Sequence, residues 1–420
     1  KHFEDQMRRI KASQKDEPSP GTAFIFRNHK PATRQELMEA FPQKSAADML
    51  ITRYFNTYDP AYHVIHGPTF QKQYDQHWQN PTETTTIWLG MAFAMMCLAL
   101  QSYQRNGDEP PEYKGRSWDL SSEYRHLTEQ CIALSDVTQP VNNMMETMIL
   151  WLQSEYARSR DAESGILIST SIIVRLAMRM GYHRDPGPYP SLTPFQGEMR
   201  RRVWTNIRFC DLLFSSQAGL PPMIRACDTN CQLPRNIYDD ELYEEMKILP
   251  TTRPMTEVTP TSYMIQKARI VFQFGDIIEE VQSLRPSNYD DIMKLDHEVR
   301  EIQATIPPHL RMRPVEESAR DSASLIMQRY HIELLLLKSQ CVLHRKFLGL
   351  ARENPRYAYS RRTAIDASMT MLQHQVSLHR ESQPGGRLRN VKWFSSSLTT
   401  QQFLLAGMIV CLDLYHTQEA

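Results

Sequence analysis

An all-α fold, a large multi-helix body of two packed helical halves without significant sheet, follows from three features of the 420-residue sequence. Apolar residues recur at three- and four-residue steps in segment after segment, the period of a helix with one buried face. No segment alternates apolar and polar residues for long enough to form a strand. Glycine is scarce, 15 residues against 22 methionines, and only proline is costlier than glycine in a helix interior.

Residues 1–37 read as a linker, since charges mix with Pro18, Pro20 and Gly21 and no apolar period is sustained. Helical spacing starts at Arg34 and carries Leu37, Met38, Ala46, Leu50, Tyr54 and Phe55. Tyr58-Asp59-Pro60 ends it, because the residue before a proline is biased out of the helical region. A polar and aromatic loop at 61–70 leads to a helix over 71–78. The next stretch, 84–104, is apolar on all sides and reads as a buried helix; its unbroken apolar run, 87–100, is too short to span a bilayer. After a polar loop at 105–118, helices are expected over 120–134, 144–157 and 162–180. The last of these stops at Gly181, suited to a left-handed cap. Pro186, Pro188, Pro190 and Pro194 stiffen the following link, and a helix from Gln196 runs to a Gly219-Leu220-Pro221-Pro222 stop.

Residues 221–262 are rich in turns, with Pro234, Pro250, Pro254 and Pro260. They divide the chain into halves at 38–235 and 263–420, joined by a connection at 236–262. The second half is expected to contain helices over 263–284, around Ile292 to Ile302, and over 325–350, 358–378 and 398–414.

Charge narrows the function. Lys and Arg total 48, as do Asp and Glu, so no basic excess is available to neutralise nucleic-acid phosphates. The seven cysteines form no closely spaced framework, which suits a reducing compartment. A chain that starts at Lys1 reads as part of a longer polypeptide.

The most informative stretches are RLAMRMGYHRDP at 175–186 and GEMRRRVWTNIRFCDLLFSSQAGLPPMI at 197–224. In the second, Val203, Ile207, Cys210 and Phe214 step by four, three and four and form a core-facing stripe, flanked by Trp204 and Asp211. A carboxylate beside such a seam has to be paired if it is buried. Arg208 on the same helix, or Arg175 or Arg202 by tertiary contact, is the expected partner, and Glu198 and Arg202 stand at the spacing of a surface ion pair.

These residues resemble the fungal-specific transcription factor domain, the middle homology region of binuclear zinc-cluster regulators. Gly181, His183, Arg184 and Asp185 match the family's Gly-Leu-His-Arg-Asp-like turn. Glu198, Arg201, Arg202, Trp204, Asp211, Gly219 and Pro221 match its Glu-x-x-Arg-Arg-x-x-Trp helix and the stop that follows. The chain departs from the pattern at Tyr182, Thr205 and Leu220. His66, Pro68 and Phe70 are similar to an opening loop of the family, and 334–348 to a late helix.

The resemblance implies a nuclear, non-enzymatic regulatory domain of a factor acting on RNA polymerase II genes. It implies DNA contact only through a zinc-cluster module N-terminal to Lys1, so zinc is expected there and no cofactor in this chain. The implied partners are transcriptional co-regulators, a second copy of the chain and a small-molecule effector; no membrane partner is expected. Two rivals stand beside it: a helical scaffold that senses nothing, and an enzyme.

No residue is assigned as catalytic, metal-binding or cofactor-binding. His63 and His66 lack the further ligands of a tetrahedral site and read as a hydrogen-bonded loop. The Arg200-Arg201-Arg202 run reads as a solvated face with one inward arginine. His183-Arg184-Asp185 reads as a cap and ion pair. Met91, Met95, Met96, Met144, Met145 and Met148 read as core filling, with an adaptable effector pocket as the sharper alternative. Phosphate-loop, nucleophile-elbow and zincin motifs do not occur.

Overall fold

Thr33 opens helix α1 (Arg34–Glu39) with a reciprocal cap: its hydroxyl accepts the Glu36 N–H and the Glu36 carboxylate accepts the Thr33 N–H. Helix α2 (Lys44–Thr57) follows and ends at Tyr58, as the downstream proline requires. Helix α3 (Gly67–Gln79) begins four residues earlier than the apolar period indicates. His66 is its cap, with Nδ1 accepting from the Thr69 N–H, and Pro68 stands in the first turn. Histidine is not among the usual capping residues, so only Pro68 marked this start.

Helix α4 (Thr86–Asn106) is the buried axle of the first half, capped by the Thr85 hydroxyl and closed by Gly107 at φ +69°. Its 21 residues are long and apolar enough to cross a bilayer, well beyond the unbroken apolar run, yet neighbouring helices bury most of it. Around it lie α2, α5 (Ser117–Leu134) and α6 (Met144–Arg158), and α7 (Ser164–Arg179) leads on to α8 (Pro194–Ala218). Thr193 and Gln196 form a capping box at the start of α8, and Gly219 closes it at φ +70°.

A stretch without α-helix joins α8 to α9 (Ser262–Gln282). Helices α10 (Tyr289–Ala304), α11 (Ala323–His344), α12 (Phe347–Glu353), α13 (Ala358–Glu381) and α14 (Ser397–Gln418) complete the fold. The structure, a computed structural model, describes residues 32–137, 139–158, 164–284, 288–394 and 397–418, and among these there is no strand. The all-α expectation is met; most of the expected linker lies outside the described residues.

One expected helix is two. The apolar period over 325–350 suggests a single rod, but the chain turns at Arg345-Lys346. The turn brings Phe347 against Tyr289 and Tyr357, with ring centroids 5.1 Å away in each case. Phe347 therefore joins the main core while Leu348 joins a smaller cluster between α11, α13 and α14. The main core runs without interruption from Leu37 to Phe347, so residues before and after the 221–261 stretch share one apolar interior.

Helices α4 and α5 approach closely at Gly90, where an added Cβ would lie 2.8 Å from the Cβ of Cys131. Thr128 donates to the Gly90 carbonyl across the same crossing. Alanine at this position gains about 1 kcal/mol of helix propensity, but it must push two buried helices apart. The expected result for Gly90→Ala is a net loss of about 1–2 kcal/mol in urea unfolding. Gly275 is the control: its added Cβ meets only the tip of Leu212, which can rotate, so Gly275→Ala should cost much less.

Candidate functional site

The signature residues converge on one structural task. Helix α8 presents a series of polar groups to the strap that follows it, and the strap runs back along the helix. Asp211, 1% exposed, accepts the backbone N–H groups of Met223 and Ile224 at 3.0 and 2.9 Å. Trp204, also 1% exposed, donates its indole N–H to Thr229 Oγ at 2.9 Å. The Thr229 hydroxyl in turn donates to the His183 carbonyl, whose imidazole lies beside Trp204.

Arg201 holds Asp185 through two hydrogen bonds of 2.9 and 3.0 Å, and Asp185 also accepts the Gln232 N–H. Glu198 accepts the Arg235 N–H at 2.9 Å. Arg202 reaches Asp239 at 2.8 Å. Strap residues 223 to 239 are thus met in turn by helix residues 211 and 204, by Arg201 through Asp185, and by 198 and 202, over about 20 Å of helix at 1.5 Å per residue.

Asp239 is the busiest of these groups. Besides Arg202, its carboxylate accepts from His63 Nε2 at 2.8 Å, and its backbone carbonyl accepts from His66 Nε2 at 3.0 Å. Burial alone would raise its pKa, but the His63 hydrogen bond and the Arg202 guanidinium outweigh it and hold the carboxyl well below the usual range. Burial pushes the His63 pKa down. His63 is then a neutral imidazole that donates from Nε2 and accepts the Tyr58 hydroxyl at Nδ1, 2.7 Å away. Burial also raises Glu198 and Asp211, partly offset by the Arg202 charge for the first and by the Ile224 and Met223 N–H groups for the second.

Several expectations are corrected here. Asp211 pairs with two backbone amides, not with an arginine. Arg208 lies over the Phe272 ring, 3.7 Å from its centroid, and Arg175 is exposed. Glu198 and Arg202 are no surface pair: both are 0% exposed and each grips the strap. The arginine run has the one inward arginine expected, Arg202, but the rest is not a solvated face, since Arg200 donates to the Met180 carbonyl and stacks on Tyr182 while Arg201 holds Asp185. A helical wheel could not show this, because the partners lie up to 37 residues downstream. Gly181 sits at φ +79°, Arg184 is exposed, and Gly219 and Pro221 mark the exposed start of the strap.

Two cavities flank α8. One, of about 410 Å³, is lined by Met91, Met180 and Met199 with Glu146, Tyr182 and Arg200. Of the six methionines expected to fill core or line a pocket, Met91 lines this cavity; all six are buried. The other, about 150 Å³, lies between α2, α4, α6 and α8 on one side and α9, α11 and α14 on the other.

Among the described residues no three His, Cys, Asp or Glu side chains gather as metal ligands. A zinc cluster does not fit this set: Cys97, Cys131, Cys210 and Cys341 are separately buried, and His63 and His66 are engaged in the loop described above.

Removing the strap contacts should be costly. Asp239→Asn leaves the buried Arg202 with only Glu198, 4.0 Å away, as counter-ion and is expected to lower the unfolding free energy by about 3 kcal/mol. Asp211→Ala orphans two amides, at about 1–3 kcal/mol. Both are read from urea transitions. A neutral imidazole with a depressed pKa stabilises the fold above the unfolded histidine value, about 6.5, and loses that contribution on acidification. Glu198 and Asp211, shifted upward, act in the opposite sense, so a difference measurement isolates His63. The stability advantage of the native chain over His63→Gln should shrink between about pH 7 and pH 5; a constant difference contradicts the neutral assignment.

The sequence profile of the fungal specific transcription factor domain matches residues 51–301. A Zn(2)-C6 fungal-type transcription factor of Monascus ruber, pigI, is 36% identical over 98% of this chain and 51% of its own length. Its counterpart mpsB of Macrophomina phaseolina is 35% identical over 100% of this chain and 57% of its own length. The equisetin cluster transcription factor eqxF of Fusarium heterosporum is 34% identical over 95% and 58%. The chain thus spans about half the length of the curated relatives it matches. No solved structure matches it. With the profile covering more than half of the sequence and the signature helix inside the matched region, the chain belongs to the fungal specific transcription factor domain family.

Proposed function

We propose that this chain is the regulatory body of a nuclear, zinc-cluster transcription factor, and that a separate module of the full polypeptide makes the DNA contacts. Relatives are named transcription factors of the equisetin, fusarisetin A and pyrrolocin clusters; by extension, the full protein controls the RNA polymerase II transcripts of one gene cluster. The observation that carries the reading is the orientation of the signature. Its charged and aromatic groups face the strap, not a cleft, so they organise the domain and touch no substrate.

The constellation nearest to catalysis supports the same reading. His344 Nδ1 lies 2.9 Å from Ser360 Oγ, and its Nε2 lies 3.2 Å from Asp296. Burial raises Asp296, but the His344, Arg300 and Tyr359 hydrogen bonds bring it down to about 2. Ser360 and His344 are both fully buried, and neither lines a cavity described above. A nucleophile that no substrate reaches performs no acyl transfer, so the trio is a strut that joins α10, α11 and α13.

Two modes of regulation each have an observation behind them. The cavity between the early and late helices suits an effector that shifts the domain between two arrangements. The exposed apolar strip of α14 (Leu404, Met408, Leu412) with Val376 of α13 suits a scaffold that docks co-regulators or a second copy. The effector reading is preferred because the cavity touches both parts of the chain.

Chromatin immunoprecipitation of the tagged full-length protein is expected to enrich promoters of one group of neighbouring genes; no promoter enrichment would overturn the reading. The 420-residue chain titrated into a labelled promoter fragment should show no sequence-selective binding, and a tight, sequence-dependent shift would place DNA recognition in this domain.

A further inference from the structure

The cavity between α2, α4, α6 and α8 and the later helices has walls of two chemical kinds. Tyr54, Tyr62, Tyr156, Phe209 and Leu213 make it chiefly aromatic and apolar. Lys267 and Asp59 also line it, as does Arg105, which donates to the Ala157 carbonyl. Lys267 is 7% exposed, lies 3.5 Å from Asp59, and stands 4.5 Å from the Phe209 ring centroid. Asp59 is shared, since its carboxylate also accepts the Ala61 N–H. Burial pushes the Lys267 pKa down in spite of Asp59, so the ammonium is only partly compensated. Burial holds His331, also in the wall, at about 4, which leaves it uncharged at neutral pH.

A second feature points to a ligand independently. Gln101, 2% exposed, lines the cavity and donates from Nε2 to the Ser154 carbonyl, while its Oε1 has no hydrogen-bond partner among the described residues. A buried acceptor left in this way is costly, at about 1–3 kcal/mol. The volume limits the ligand to one ring, because a cavity of about 150 Å³ accepts a benzene-sized core, and the ring's substituents take the places beside Lys267 and Gln101.

We propose that this cavity binds a monocyclic aromatic acid bearing a ring hydroxyl. Its ring lies against the aromatic wall, its carboxylate meets Lys267, and its hydroxyl donates to Gln101 Oε1. Because α4, α6 and α8 contact one side and α9, α11 and α14 the other, occupancy favours the arrangement that keeps both sides in register. The inference rests on the regulatory reading above and names the class of effector.

Isothermal titration calorimetry on the 420-residue chain tests it with para-hydroxybenzoate, para-hydroxybenzyl alcohol and benzoate. The acid should bind, the alcohol should bind at least ~10-fold more weakly for want of the charge, and benzoate more weakly for want of the hydroxyl. Leu335→Trp, which fills the cavity, should abolish the heat while retaining a cooperative thermal transition. If that variant does not fold, the three-probe comparison on the native chain stands without it. No binding by the acid up to about 10 mM, or equal affinity for acid and alcohol, overturns the ligand class. Unchanged binding in a folded Leu335→Trp chain overturns the location. Promoter occupancy, measured without any ligand, tests the regulatory reading separately.

Discussion

A guanidinium that water does not reach has to find an anion, and in this protein Arg202 finds Asp239. Much of the domain's irregular structure depends on that pairing. Asp239 is drawn onto α8 from the far end of a strap with no α-helix of its own, and it brings its backbone carbonyl within reach of His66. The same carboxylate orders His63, which is tied to Tyr58 at the end of α2. One buried charge thereby joins the first helices, the signature helix and the connection. Ion pairs of this kind add little net stability over an apolar replacement, but breaking one partner is severe. Their effect here is to specify where the strap lies.

Helix α8 links this clamp to the rest of the molecule. Its polar groups hold residues 223–239, and Phe209 and Leu213 on the same helix line the smaller cavity. Across that cavity stand Lys267 of α9 and His331 and Leu335 of α11. A shift of α8 therefore changes both the strap's anchorage and the cavity's shape. Close-packed interiors transmit such shifts as discrete rearrangements. That is the physical basis on which a regulatory body can respond to a small molecule.

How far the sequence could be read differs from element to element. The stops at Gly181 and Gly219 were legible because a residue without Cβ is the cheapest way into the left-handed region, and both adopt it. Helix α4 was legible from its apolar length. The start of α3 was obscured because a histidine caps it. The break between α11 and α12 was invisible because the apolar period continues through it, and the reason for the turn is a trio of rings contributed by three separate segments.

The candidate site shows the same division more sharply. Local sequence was enough to identify the family resemblance, the helix that carries Glu198, Arg202, Trp204 and Asp211, and the need for a buried carboxylate to have partners. It could not name all of those partners: helix geometry offered Arg208 for Asp211, which was wrong, and Arg202 for Glu198, which does lie 4.0 Å away but buried, with each group also gripping the strap. Periodicity reports which side of a helix is apolar; it carries no information about which distant backbone amide or carboxylate will lie over a polar group once the chain has turned back. Sequence by itself determined most of the helices, the glycine stops at Gly181 and Gly219 and the fold class, because those depend on residues within a few positions of one another. Only the tertiary structure decided the strap and the cavity, because both arise where segments far apart in the chain exclude water together.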